Sequence, residues 1–414
     1  MQINIAPAYE NDRDIGTVKS IINKCVHCGF CTATCPTYQV LGDELDGPRG
    51  RIYLIKEMVE GAPVTHKTQS HLDRCLTCRN CESTCPSGVR YGRLVDIGRR
   101  YVDEQVQRPV FQKLQHWLIR ETLSRRAVFG SLFGIARFVR PLLPAALKKK
   151  IQPVPSAGIW PSTSAAAPQR RKMLMHQGCV QPALMPNVDA ATARVFDKLG
   201  VQLTIVPEAG CCGAIRQHLN DHDGAHAQFK ANIDAWWPHV AQGVDTIVIN
   251  ASGCGVMIKE YGELLADDPD YADKARQIAA MAKDVSEILP GFADELAQLV
   301  SAGQNAAPAA RVTYHPPCTL QHGQKIRGAV EGLLGRLGVD VRLCNESHLC
   351  CGSAGTYSML QPTMSQTLLN RKLSNILKTS PDEIVSGNVG CINQLQSGTD
   401  VPVRHWIELI DRMI

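Results

Sequence analysis

The chain has 414 residues, 44% hydrophobic and 20% charged, with a formal net charge of +5, which is enough material for two or three ordinary cores. Aromatic residues make up only 5%, and neither that content nor the modest charge gives a nucleic-acid footprint. No apolar run reaches the roughly 18 residues of a spanning helix, and residues 1–20 lack the basic and then apolar segments of a secretory signal. The expectation is a soluble multidomain chain in a reducing compartment, with any membrane contact peripheral or through a partner.

The first element is a repeat. Cys25, Cys28, Cys31 and Cys35 are followed 50 residues later by Cys75, Cys78, Cys81 and Cys85, and Pro36 and Pro86 follow the last cysteine of each set. Short gaps let one turn of backbone wrap a compact inorganic group and aim its amides at the sulfurs, and proline then ends the turn. Disulfides need an oxidising compartment. Zinc knuckles are normally spaced well apart, whereas here four thiols crowd into eleven residues. The run is similar to that of bacterial two-cluster ferredoxins, in which the fourth cysteine serves the other cluster. The expected ligand sets for two [4Fe-4S] clusters are therefore Cys25, Cys28, Cys31 and Cys85, and Cys75, Cys78, Cys81 and Cys35. Between the two runs, Gly47-Pro48-Arg49-Gly50-Arg51 opens a helical stretch from Ile52 to Val59. It reads either as a surface helix start or as arginine charge that steadies reduced clusters.

Residues 107–150 are a basic connector. Arg108, Lys113, Arg120, Arg125, Arg126, Arg137, Arg140, Lys148, Lys149 and Lys150 stand against one acid, Glu121, with Phe111, Trp117, Leu118, Phe129, Leu132, Phe133, Phe138 and Leu142 as apolar stripes. Such a stretch lies on an anionic bilayer or packs as a helix pair on a partner or on the chain's own domains, and packing is the preferred reading. Residues 151–170, rich in Pro, Ser and Ala, read as a linker.

A second duplication follows. Cys179, the pair Cys211-Cys212 and Cys254 reappear as Cys318, Cys350-Cys351 and Cys391. Each pair precedes a glycine (Gly213, Gly352), and the offsets are 139 residues for the first three positions and 137 for the last. Apolar runs at Met173 to Met175, Gln202 to Val206 and Asp245 to Asn250 flank a helical pattern from Val188 to Leu199. Val312 to Tyr314, Val339 to Leu343 and Glu383 to Ser386 flank a second one from Ala329 to Leu337. Alternating strands and helices predict parallel sheets whose carboxyl-end loops gather the cysteines. Ser301 to Ala310 reads as a loose segment between the copies. Cys344, outside the duplication, reads as a small buried residue.

The paired Cys-Cys-Gly repeats resemble the cysteine-rich domain of heterodisulfide reductase. Joined to the two-cluster module, they resemble the iron-sulfur subunits of membrane-associated flavin dehydrogenases, most closely the glycolate oxidase iron-sulfur subunit family. In the heterodisulfide reductase form each repeat ends in C-x₂-C. Here Cys254 is followed by Gly255, Val256 and Met257, and Cys391 by Ile392, Asn393 and Gln394, so a fifth thiol is missing twice. The resemblance leaves the eight repeat cysteines as a further candidate redox or metal site, or as an unoccupied relic. His176 and His315, each three positions before a cysteine, read first as packed or backbone-bonded histidines, and otherwise as donors to cluster sulfur or as proton carriers.

The expected fold is α+β and multidomain: a mainly helical two-cluster module over 1–106, the connector and linker over 107–170, and α/β cysteine-rich repeats over 171–300 and 310–414. No dinucleotide fingerprint, P-loop or catalytic triad is present, so no catalytic residue is expected. The resemblance implies an electron-transfer subunit of a glycolate oxidase complex that passes electrons from FAD-bearing partner subunits to quinone or another acceptor. It further implies a place at the cytoplasmic face of the inner membrane. The alternatives are the corresponding subunit of anaerobic glycerol-3-phosphate dehydrogenase or of an L-lactate-oxidising complex and, from another class, an iron-sulfur redox sensor or scaffold.

Overall fold

The computed structural model describes residues 1–142, 148, 151, 153–161, 171–303 and 311–414. The N-terminal module is helical. Its long helix Tyr91–Gln105 buries Leu94, Val95, Ile97, Tyr101 and Val102 along one face, the 3.6-residue periodicity of a core-facing helix. Gly98 lets helix Pro48–Val59 close on it, since a Cβ there would fall 2.6 Å from Ile55 Cδ1. The two cysteine runs lie at one end of this bundle.

Each C-terminal repeat is a four-stranded parallel sheet. The first unit has β1 (Arg171–His176), β2 (Val201–Ile205), β3 (Ile247–Ile249) and β4 (Ala282–Asp284), in the order β2-β1-β3-β4. The second has β5 (Val312–His315), β6 (Val341–Leu343), β7 (Glu383–Ser386) and β8 (Val403–His405), in the order β6-β5-β7-β8. Ile247, Val248 and Ile249 are completely buried, as expected of a parallel strand covered on both faces. In each sheet the strand order reverses between the first and third strands. That reversal opens a crevice at their carboxyl ends, just where Cys179 and Cys254, or Cys318 and Cys391, follow in sequence.

The two units share one hydrophobic core, in which helix Pro186–Lys198 of the first lies against helix Trp406–Met413 of the second. Arg194 pairs with Asp411 at 2.6 Å, and the Ser252 amide donates to the Gly387 carbonyl at 3.2 Å. The expected strands and helices form within a few residues of their sequence limits. The fourth strands, β4 and β8, are additions, and Ser301 and Ala302 complete helix Ala293–Ala302 instead of opening a loose segment. Lys149, Lys150, residues 162–170 of the linker and residues 304–310 lie outside the described residues.

The connector folds into helices Val110–Leu123 and Arg126–Val139, which pack on each other. In these two helices Ile119 is the buried hydrophobic residue, while Phe111, Trp117, Ile135 and Phe138 are exposed. The helices touch the first cysteine-rich unit, where Glu121 pairs with Arg216 at 2.7 Å and Arg126 reaches Gln177 at 2.8 Å, but most of the apolar stripe faces outward. Among the described residues, no helix is long and apolar enough to cross a membrane.

Candidate metal centres

The two ferredoxin-type loops are built by the same backbone device. His27 and Gly29 in the first, and Thr77 and Arg79 in the second, have left-handed φ angles of 56°, 85°, 52° and 59°. Alternate left-handed residues curl a chain into a concave nest whose amides point inward, suited to an anionic group. The Thr77 amide donates to Cys75 Sγ at 3.4 Å, and the Tyr91 hydroxyl reaches the same sulfur at 3.6 Å. Arg79, where the first loop has glycine, holds a conformation that an ordinary side chain adopts only at a cost. Its guanidinium is anchored on Glu260 of the first cysteine-rich unit, with Nη2 2.9 Å from Oε2.

The thiols group crosswise. Cys25, Cys28, Cys31 and Cys85 line one small cavity, and Cys81 also borders it. Burial pushes the Cys31 thiol up to about 11, and the charges of Cys25, Cys85 and Cys28 add to the rise. Cys78 and Cys81 are both pushed well up, chiefly by burial, with Cys75 and Cys35 among the neighbouring charges. Crowded thiols, of which Cys31, Cys78 and Cys81 resist ionisation, suit a multi-cation cluster, which supplies the compensating positive charge.

The Gly-Pro-Arg-Gly-Arg turn serves both groups. Arg49 Nη1 would lie 3.1 Å from a Cβ at Gly29, and Arg49 lines the cavity of the first group. Arg51 is only 1% exposed and reaches Thr37 Oγ1, Asp46 and the His71 carbonyl. Burial opposes its charge, but Tyr91, Cys75, Cys35 and Asp46 outweigh this and hold the guanidinium protonated. Gly50 is required because a Cβ there would stand 2.2 Å from the Glu44 carbonyl oxygen. Tyr91 and Arg79 were not singled out from sequence. Arg79 was detectable as the residue that replaces Gly29 in an otherwise regular repeat, whereas Tyr91 carries no local signal.

In the cysteine-rich units each set of four thiols forms one unbroken chain: Cys179 to Cys211 to Cys212 to Cys254, and Cys318 to Cys350 to Cys351 to Cys391. Cys211 is held low by hydrogen bonds from Cys179 and Cys212, with the Gly213 amide 3.5 Å away. Cys350 is held low by Cys318 and Cys351, with the Gly352 amide at 3.3 Å. Asn232 fixes the first pair, accepting from the Gly210 amide and donating to the Cys211 carbonyl, both at 2.8 Å. Cys344 is buried in the apolar cluster that also holds Cys351, with Cys391 packed against it, and burial raises its thiol.

The second thiol chain abuts the ferredoxin module. Cys318 and Cys350 share an apolar cluster with Leu76, with Cys78 packed against it, and the Cys78 charge acts on Cys318. The Tyr357 hydroxyl donates to the Arg74 carbonyl at 3.0 Å, and Ser83 Oγ meets His322 Nδ1 at 3.0 Å. Beside this seam lies a cavity of about 550 Å³, lined by Thr34, Asn80, Ser83 and Thr84 on one side and His322, Arg327 and Ser347 on the other.

Comparison with known proteins agrees with this layout. Residues 21–89 match the 4Fe-4S dicluster domain family, and residues 173–259 and 312–396 each match the Cysteine-rich domain family. The chain is 48% identical over 395 residues to the glycolate oxidase iron-sulfur subunit of Escherichia coli (strain K12), covering 95% of both chains. It is 28% identical over 410 residues to the probable glycolate oxidase iron-sulfur subunit of Bacillus subtilis (strain 168), covering 91% of this chain and 88% of that one. Lactate utilization protein A of Exiguobacterium sp. is 25% identical over 240 residues, which are 56% of this chain and 94% of that one.

Proposed function

Because this chain belongs to the glycolate oxidase iron-sulfur subunit family, an electron-transfer component of an oxidoreductase, we propose that it carries electrons from FAD-bearing partner subunits oxidising glycolate to glyoxylate on to quinone or another respiratory acceptor. The observation that carries this reading is the grouping of the ferredoxin-type thiols, with Cys25, Cys28, Cys31 and Cys85 around one cavity and Cys78 and Cys81 beside Cys75 and Cys35. In this reading Cys25, Cys28, Cys31 and Cys85 hold one [4Fe-4S] cluster, and Cys75, Cys78, Cys81 and Cys35 hold the second. The eight thiols of the cysteine-rich units form a further redox site. The chain divides into a two-cluster module (1–106), a connector (107–170) and two repeats (171–300 and 310–414).

Bound clusters would accept single electrons from a flavin that has taken two. The protein's own part is electrostatic and positional. Arg49 and Arg51 set fixed positive charge beside the two thiol groups and so favour the more negative, reduced state. The Tyr91 hydroxyl and the Thr77 amide donate toward Cys75 and do the same. The cavity beside Thr34, Asn80 and Ser83 is next in sequence to Cys35 and Cys81 and is of ligand size, and the reading seats the small acceptor there. The basic connector, with its apolar side chains turned outward, supplies contact with an anionic membrane surface. The lactate alternative is less favoured, since the lactate utilization relative matches little more than half of the chain.

The test is anaerobic co-purification with the flavoprotein partners and a panel of glycolate, L-lactate and glycerol 3-phosphate. The isolated chain should oxidise none of them, and the complex should reduce quinone or a dye with glycolate. Preference for another substrate in the complex would reassign the reading. Sedimentation with anionic but not neutral vesicles checks the connector.

A further inference from the structure

Buried histidines in this chain normally find hydrogen-bond partners. His405 is completely buried, and its Nε2 meets the Asn250 carbonyl at 2.9 Å while Nδ1 accepts from the Ile407 amide at 3.1 Å. His322, 1% exposed, meets Ser83 Oγ at 3.0 Å and the His348 carbonyl at 2.9 Å. His176 and His315 are as deeply buried, at 2% and 0% exposure, yet among the described residues no nitrogen or oxygen group pairs with either ring: His176 meets the Cys254 thiol, and neither nitrogen of His315 has a partner. A buried ring without an ordinary polar partner is costly, and here the two rings so placed stand at equivalent positions of a duplicated fold.

Both rings face thiols. His315 offers a nitrogen that lies, with Cys351 Sγ and Cys391 Sγ, in a set whose atoms are all within 4.8 Å of one another. In the first unit Gly178, at φ +73°, keeps open a space where a Cβ would be 3.4 Å from Cys254 Sγ and 3.8 Å from His176 Nε2. His176 ends β1 and His315 ends β5, so each ring projects from the strand end that borders the crevice holding its four thiols.

We propose that His176 and His315 are metal ligands, each completing as a fifth donor an iron-sulfur centre held by the four thiols of its cysteine-rich unit. The proposal rests on the reading above that these thiols bind a cluster. Five donors are one more than a closed tetrahedral zinc site uses, and imidazole is a recognised ligand to iron. A neutral imidazole adds a donor without adding negative charge to a buried site. In iron-sulfur centres where histidine replaces cysteine the potential is raised. Compared with a centre of five thiolates, four thiolates and an imidazole carry one negative charge fewer, so the centre beside Cys78 would be easier to reduce than its all-thiolate five-donor counterpart.

The experiment uses the full chain, purified anaerobically and labelled with ¹⁵N-histidine. Iron and zinc are counted, and hyperfine spectroscopy is run at each stage of a reductive titration. The expected result is iron beyond the roughly eight atoms of two cubanes and a strong ¹⁵N coupling on a signal distinct from the N-terminal clusters. That coupling should disappear in the His176→Cys/His315→Cys variant, with iron content kept. Iron limited to the N-terminal module, or zinc in the cysteine-rich units, would overturn the cluster reading and this proposal together. Excess iron with a cluster signal but no nitrogen coupling would overturn the histidine ligation alone.

Discussion

In the first cysteine-rich unit the thiol chain is walled by the unit's own side chains. Cys212 lies in an apolar cluster with Phe229, Trp236 and Tyr261, the Tyr261 hydroxyl donates to the Cys212 carbonyl at 3.0 Å, and Trp236 stands edge-on to His176 with ring centres 5.6 Å apart. In the second unit the same four thiols, in the same order on the same topology, lose that enclosure on one side and meet Leu76 and Cys78 of the N-terminal module. Gene duplication copies donors and strand order but not neighbours. The two chambers therefore have equal donors and unequal surroundings: the second is next to a ferredoxin-type thiol group, and the first is walled by its own unit.

The largest expected effect follows from that inequality. Cys350→Ser should perturb the EPR signal of the cluster assigned to Cys75, Cys78 and Cys81 and slow acceptor reduction by the complex about tenfold or more, whereas Cys211→Ser should leave that signal unchanged. Equal disturbance by both variants would mean that the first chamber also touches the ferredoxin clusters, and the contrast drawn from geometry would fall.

A smaller difference is expected in stability. Gly213 and Gly352 both have φ near +85°, at +85° and +87°, but a Cβ at 213 would meet the Phe229 ring at 2.3 Å, whereas one at 352 would meet the Ser365 backbone oxygen at 2.4 Å. A ring can rotate away, and a helix backbone cannot without losing its own hydrogen bonds. Gly352→Ala should cost about 3 kcal/mol and Gly213→Ala about 1–2 kcal/mol, as read from denaturant midpoints of the anaerobic protein. The reverse order would show that the first unit is the more rigid one.

The smallest contrast lies at the fourth strands. β4 ends in Asp284 and β8 in His405, each capping the following helix with a partner three residues on, Glu287 or Glu408. Burial lifts the Asp284 carboxyl to about 6 and holds His405 down at about 3. Folded Asp284 keeps a proton that the unfolded chain releases above about pH 4, so its unit loses stability as pH rises from about 4 to about 6, and the loss levels off beyond. Folded His405 refuses a proton that the unfolded chain takes up below about pH 6.5, so its unit loses stability as pH falls. Hydrogen exchange corrected for intrinsic rates should show β4 better protected at pH 5 than at pH 8, and β8 the opposite. Asp284→Asn should flatten the first trend alone.

Much of this was legible in the sequence, because a cluster ligand set is a spacing pattern. The expected ligand sets, with Cys85 beside Cys25, Cys28 and Cys31, come from that spacing together with its likeness to two-cluster ferredoxins, and the duplicated cysteines ending at Cys254 and Cys391 are plain from their order. The parallel sheets were legible because β1, β3, β5 and β7 are short apolar runs between helical patterns. β4 and β8 were not, since Ala-Lys-Asp and Val-Arg-His have an exposed middle residue and carry no apolar run. The outward face of the connector was also hidden. An amphipathic pattern fixes which side chains share a face, not whether the chain's own domains cover it. Nor could sequence separate His176 and His315 from His405, because what distinguishes them is that their rings face thiols where His405 meets backbone groups, a property of three-dimensional packing.

The central claim is that this chain is a wire between a flavin and an acceptor, and stopped-flow absorbance of the assembled complex tests it most directly. With Cys28→Ser and Cys78→Ser combined, glycolate should bleach the flavin at the unmodified rate while cluster reduction and quinone reduction are lost. Quinone reduction at an undiminished rate in that complex, or glycolate turnover by the isolated chain, would contradict the account.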